Sequence, residues 1–175
     1  MNRIPRVGRF AVLVGVSVIL GACWHRRGSG DDKDELKACP APAAAPTTWS
    51  WKTEKLSDVS IEMPSTFVEH LSGDVRSRTW RDGPREITMR LTSDGHATRR
   101  AQSLVGICAL EVGDREIEVV ETRPDGSTHE LLALVPDVPG GPNVLVRVST
   151  PYYKEFDALR RAVSSIQVDE GKGNK

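Results

Sequence analysis

The sequence lacks a net charge, a cysteine framework and a long hydrophobic run. Its 175 residues carry 24 basic and 24 acidic side chains, so no basic excess favours nucleic acid as a partner. Three cysteines are too few for a disulfide scaffold, and their spacing is not that of a metal site. We therefore expect one domain with no cofactor and no metal.

Motifs for catalysis are also missing. The sequence contains no Gly-x-Ser-x-Gly elbow, no Ser-x-x-Lys and no His-Glu-x-x-His. His70, His96 and His129 are too far apart in sequence to place two ligands on one helix, although a sheet could bring them together. A Cys108–His129 nucleophile is conceivable, but two buried strand residues are the favoured interpretation. The expectation is a protein that is not an enzyme.

The N-terminus has the pattern of a secretory signal. Three arginines and no acidic residue precede an apolar run over residues 10–20. This run of 11 residues is shorter than the ~20 residues that a membrane-spanning helix needs. Residues 1–22 are therefore predicted to be a cleaved leader.

The motif Leu20-Gly21-Ala22-Cys23 resembles the lipobox of bacterial lipoproteins. The resemblance implies cleavage after Ala22 and a diacylglycerol on Cys23, whose thiol is the only nucleophile in the motif that could take it. The alternative is an ordinary secretory signal that contains a cysteine. Trp24 stands where an Asp tends to retain lipoproteins at the inner membrane, so the outer membrane is favoured if the host is diderm.

Four regions follow from the composition. After the leader, residues 23–48 are charged and then rich in Ala and Pro, which predicts a tether. Residues 49–168 are predicted to form one domain and residues 169–175 a disordered tail. Removal of the leader leaves 21 basic and 24 acidic side chains, a formal charge of −3. This mild charge argues against adhesion to anionic headgroups.

Within the domain, short alternating segments separated by turn residues predict an antiparallel sheet. Leu131 to Val135 are apolar on both faces, which indicates an interior strand. The predicted strands include residues 59–63, 76–81, 86–92, 108–112, 117–119, 129–135 and 144–148.

One helix is predicted near the C-terminus. Thr150 can cap it, Pro151 suits its first position, and an apolar stripe of helical period follows. A weaker helix is predicted over residues 97–105 and an edge strand over residues 165–168. The predicted fold is α+β, a mostly antiparallel sheet with an amphipathic C-terminal helix packed on one face.

The segment Val-Ser-Ile-Glu-Met-Pro at 59–64, the strand meander and a final helix running into Ser164-Ser165-Ile166 are similar to the PsbP-like α/β/α sandwich and related bacterial lipoprotein domains. The resemblance implies a non-catalytic assembly or interaction domain. It carries over no active-site residues.

Two cysteines remain if Cys23 carries lipid. Because an even number of cysteines then remains in an oxidising compartment, a disulfide between Cys39 and Cys108 is favoured over two separate thiols.

The candidate binding surface comprises Trp49 and Trp51, which could stack on sugar rings or a partner protein. The favoured alternative is that they close the core where the tether enters.

Arg76 and Arg78 add basic charge to that candidate surface. Strand alternation predicts that they share one face, which could meet an anionic partner. The favoured interpretation is an ordinary solvated sheet face.

We expect a lipid-anchored envelope protein with a binding or assembly role, its protein or glycan partner unidentified. The alternatives are an envelope-polymer enzyme with a dispersed site and a structural or inhibitor module.

Overall fold

The computed structural model describes residues 36–71, 73–98, 101, 103–136 and 141–169. Within them, an antiparallel sheet of seven strands, the large sheet, has the order β3-β4-β5-β9-β8-β7-β6, and a small antiparallel sheet has the order β1-β2-β10. The elements are β1 Trp51–Leu56, β2 Val59–Pro64, β3 Val68–His70, β4 Ser77–Asp82, β5 Arg85–Thr92, β6 Leu104–Val112, β7 Arg115–Thr122, β8 His129–Val135, β9 Asn143–Thr150, α1 Tyr153–Ser164 and β10 Gln167–Val168.

Each of the seven predicted strands overlaps an observed strand, whereas β1 and β3 were not predicted. The β4–β5 hairpin turns at Gly83, whose φ of 59° lies in the left-handed region that glycine tolerates. All seven residues of β8 are buried, and the strand lies between β7 and β9. Leu131, Ala133 and Val135 on one face belong to the main core, and Leu132 and Leu134 on the other face are also buried.

Helix α1 and the small sheet cover one face of the large sheet. Phe156, Leu159 and Val163 of the helix are buried in the same core as Ile61 of β2 and Val146 of β9. The fold is therefore α+β, a mostly antiparallel sheet with an amphipathic C-terminal helix packed on one face, and the predicted class is confirmed.

The predicted start of the helix is wrong by two residues. The helix begins at Tyr153, its N-cap is Tyr152, and no side chain caps it. Thr150 remains the last residue of β9, opposite His129. Its Oγ1 accepts the N–H of Tyr152 at 3.1 Å and so bonds the capping residue instead of the first turn.

The weaker helix predicted over residues 97–105 is also wrong. Leu104 and Val105 begin β6, and among the described residues before them none is α-helical. Thr98 Oγ1 instead donates to Glu118 of β7 at 2.9 Å. The described residues contain one α-helix, so a second helical layer, as in the α/β/α sandwich that the resemblance implied, is not among them.

Part of the segment predicted as a tether lies against the domain. The N–H of Ala109 in β6 donates to the carbonyl of Lys37, and the N–H of Cys39 donates to the carbonyl of Ala109, both at 2.8 Å. A disulfide joins Cys39 to Cys108. The N–H of Ala43 then donates to the carbonyl of Asp157 in α1 at 3.2 Å. Residues 37–43, which we call the strap, thus correct the boundary at residue 49.

The signal peptide, Cys23, the tether up to residue 35 and residues 170–175 lie outside the described residues. No helix in the described part of the chain is both long enough and apolar enough to cross a membrane.

The disulfide should stabilise the domain by restricting the unfolded chain. Its cysteines are 69 residues apart in sequence, a loop for which the chain-entropy model gives about 4 kcal/mol. We expect the Cys39→Ala/Cys108→Ala variant to lose most of that free energy of unfolding, measured by urea unfolding in detergent micelles. Reductant should have the same effect on the wild type and none on the variant. A loss below about 1 kcal/mol in both experiments would contradict this role.

Candidate functional site

An apolar cleft opens where the end of β1 meets the connection from β3 to β4. Its volume is about 430 Å³, and its lining includes Leu56, Leu71, Val75 and Arg78. Leu56 is buried at the base, whereas Leu71 and Val75 lie in the connection. We call this cleft the mouth, because it lies between the two sheets at the end where β1 turns into β2.

Two aliphatic side chains project from the mouth almost fully into water. Leu71 is 93% exposed and Val75 is 92% exposed. Single exposed apolar residues are common on protein surfaces. Two such residues on one loop, beside an apolar cleft, are instead typical of a surface that another apolar body covers.

The loop that carries these two residues, Leu71 and Gly73–Arg76, is called the mouth loop. Gly73 has a φ of +71°, and Asp74 Oδ1 accepts the N–H of Arg76 at 2.9 Å. The carbonyl of Asp74 accepts the N–H of Ser77 at 3.0 Å, and the carbonyl of Arg76 accepts the N–H of Leu91 at 2.8 Å. Backbone hydrogen bonds and one carboxylate thus hold the described part of the loop in shape. The side chains of Leu71 and Val75 are not buried in it.

Arg78 holds the side of the mouth together. Its Nε and Nη2 donate to the two carboxylate oxygens of Glu69, each at 2.7 Å, and its Nη1 donates to the carbonyl of Lys55 at 2.6 Å. Its guanidinium carbon also lies 4.9 Å from the ring centre of Trp80, which is fully buried. One side chain therefore joins β1, β3 and β4.

The ion pair shifts the titration of both partners. The hydrogen bonds from Arg78 lower the pKa of Glu69, and the same bonds raise the pKa of Arg78. Arg78 is therefore occupied by its own domain, which disfavours the hypothesis that it offers free charge to an anionic partner.

The structure divides the predicted binding surface into two places. Arg76 lies in the mouth loop before β4 begins, so it does not share a strand with Arg78. Trp51 is opposite Pro64, at the other end of the β1–β2 pair from Leu56 and the mouth. A six-residue strand separates these ends by about 17 Å, so the tryptophans and Arg78 do not form one site.

Trp49 and Trp51 are partnered by arginines of the same domain. Their ring centres are 6.1 Å apart in an edge-on arrangement. The Arg161 guanidinium lies 4.4 Å from the ring of Trp51, and that of Arg85 lies 5.7 Å from the ring of Trp49. Trp49 also packs against the core. This geometry fits the interpretation in which the pair closes the core better than an open stacking platform.

The described residues contain no group of His, Cys, Asp and Glu side chains that could hold a metal ion. Cys108 is bonded to Cys39 and does not supply a thiolate, so the hypothesis of a Cys108–His129 nucleophile is wrong. His129 is buried, with its ring centre 5.2 Å from that of Tyr153 and 5.1 Å from that of Phe156.

Leu71 and Val75 were not predicted from the sequence as functional residues. A signal for them is present, because Leu-Ser-Gly-Asp-Val at 71–75 places an aliphatic residue on each side of a Gly-Asp turn. Neither residue continues an alternating pattern. Apolar residues at a turn that no strand periodicity explains are candidates for a contact surface.

Arg78 and Arg76 offer a matched pair of substitutions. We expect Arg78→Ala to lower the free energy of unfolding by roughly 1–3 kcal/mol, because it leaves Glu69 and the carbonyl of Lys55 unpaired and uncovers Trp80. Arg76→Ala, at an exposed position two residues away, should change it by less than about 0.5 kcal/mol. Urea unfolding followed by tryptophan fluorescence measures both. Equal effects would contradict the assigned role of Arg78.

The ion pair also predicts a dependence of stability on pH. Because the pKa of Glu69 is lower in the folded state than its ordinary value of 4.5, the pair stabilises the fold above that value and the stabilisation is lost as the pH falls through the folded pKa. The Glu69→Gln variant should therefore be less stable than the wild type at pH 7, and this difference should shrink between pH 5 and pH 2. A constant difference across that range would refute the assignment.

No family model and no curated protein matches the sequence. A solved structure of the Ran-binding protein Mog1p from Saccharomyces cerevisiae is similar to this chain, with 13% sequence identity and a TM-score of 0.43; the match covers 69% of this chain and 96% of that chain. A likeness at this TM-score does not establish a shared fold.

Proposed function

We propose that the chain is a bacterial lipoprotein, anchored through Cys23, whose domain acts outside the cytoplasm as a binding module and not as an enzyme. The motif Leu20-Gly21-Ala22-Cys23 supports the anchor. The disulfide between Cys39 and Cys108 agrees with an oxidising compartment. Trp24 favours the outer membrane if the host is diderm.

The mouth is the observation that carries the binding role. Full burial of a Leu or Val side chain is worth about 1.5–3 kcal/mol, and Leu71 and Val75 forgo nearly all of it in the isolated domain. The described loop contacts do not need these side chains. An apolar partner at the mouth would recover that free energy, which is how a binding surface gains affinity.

The two alternatives have less support. An enzyme with a dispersed site would be favoured by a histidine that meets a carboxylate in a cleft. The buried histidine, His129, instead packs against the rings of Tyr153 and Phe156. A structural or inhibitor module would be favoured by a domain without a cleft and with an exposed aromatic patch. Here the cleft is present, and Trp49 and Trp51 are covered in part by arginines.

Expression of the full chain in a bacterial host tests the anchor. We expect the wild type to have the intact mass of a chain that starts at Cys23 and carries acyl groups, and to fractionate with membranes. Cys23→Ala should lack the acyl mass and the cleavage, because the nucleophile for the lipid is gone. Cys39→Ser removes a different cysteine and should keep the lipid.

An unmodified wild-type chain in the soluble fraction would refute the lipoprotein proposal. Loss of acylation in both cysteine variants would show that their effect is general and not specific to Cys23.

A further inference from the structure

We propose that the apolar partner of the mouth is the bilayer that carries the anchor, and that the mouth loop places Leu71 and Val75 in the membrane interface. This inference rests on the lipid anchor proposed above. It deepens the binding role by naming a lipid surface as what the mouth contacts.

The chemistry of the mouth loop suits a lipid surface. Two of its side chains are aliphatic and almost fully exposed, and acyl chains accept such groups without a matching pocket. Arg76 follows Val75 directly and is exposed, so its long side chain can keep its charge among the headgroups while its stem lies along apolar atoms. The Asp74 carboxylate accepts the N–H of Arg76. Burial of this charged group among acyl chains would cost free energy, so the contact should be shallow.

The chain between anchor and domain is long enough for this contact. The strap lies along β6, at one edge of the large sheet, and the mouth loop follows β3 at the other edge. Six strand spacings make the sheet about 29 Å wide. The 13 residues from Cys23 to Leu36 can span up to about 45 Å. The mouth loop can therefore reach the bilayer while Cys23 stays in it.

A weak apolar contact is sufficient in this arrangement. The anchor holds the domain near one bilayer, so docking of the loop is an intramolecular event at high effective concentration. The mature charge of −3 offers no electrostatic attraction to anionic lipids, so the contact should be apolar and insensitive to salt. The end of the domain with Trp49 and Trp51 would then be turned away from the membrane.

The test uses the lipidated chain in vesicles of neutral phosphatidylcholine. Leu71→Cys and Val75→Cys are labelled with an environment-sensitive fluorophore, since lipid and disulfide occupy the three native cysteines. Ser127→Cys, in the exposed turn between β7 and β8 at the opposite end of the large sheet, is the control. Vesicle flotation of each labelled protein reports the anchor independently of the label.

We expect nitroxide groups on the acyl chains to quench the labels at positions 71 and 75 at least twofold more than the label at position 127. The quenching should persist in 0.5 M salt. Labels at positions 71 and 75 that stay in water on protein that floats would overturn this inference and leave the anchor intact. Protein that does not float would overturn the anchor and this inference with it.

Labels shielded from water in native envelope membranes, but not in pure lipid vesicles, would assign the mouth to a protein partner and also overturn the lipid contact.

Discussion

The structure depends on the burial of one face of the large sheet beneath α1 and the small sheet. Trp80 and Met89 on β4 and β5 are fully buried, as are Val146 on β9 and Phe156 and Leu159 on the helix. These side chains form one continuous core, whose transfer from water is the dominant favourable contribution to folding. The same cover ends at Leu56, the last residue of β1, and the mouth opens there.

Two sets of contacts outside this core, the strap on β6 and the Arg78 bonds at the mouth, shape the two sides of the domain. The strap is bonded to the outer edge of β6 and locked by the disulfide, so that edge is partly covered. Arg78 joins three strands at the other side of the fold and holds the wall of the mouth. Because the strap lies against the domain, the predicted tether ends near Leu36. It is therefore shorter than the composition alone predicts.

The positions of several strands and of the helix could be predicted from the sequence, because they depend on the pattern of neighbouring residues. Alternation located β2 and β5, a continuous apolar run located β8, and helical periodicity located the buried stripe of α1. The start of the helix was missed because Thr150 is held in β9 by its pairing with His129, a contact between distant parts of the sequence. Likewise, the role of Arg78 depends on the meeting of three strands, which no sequence window contains. Leu71 and Val75 were missed because they follow neither period.

In the arrangement proposed above, the mouth loop faces the membrane and the tryptophan end faces away. Amide hydrogen exchange of the lipidated chain in vesicles, compared with the leader-free chain without lipid in solution, tests this orientation directly. We expect slower exchange in the vesicle sample at the mouth loop and unchanged exchange around Trp49 and Trp51. Slower exchange at the tryptophan end, or no change at the mouth loop, would contradict it.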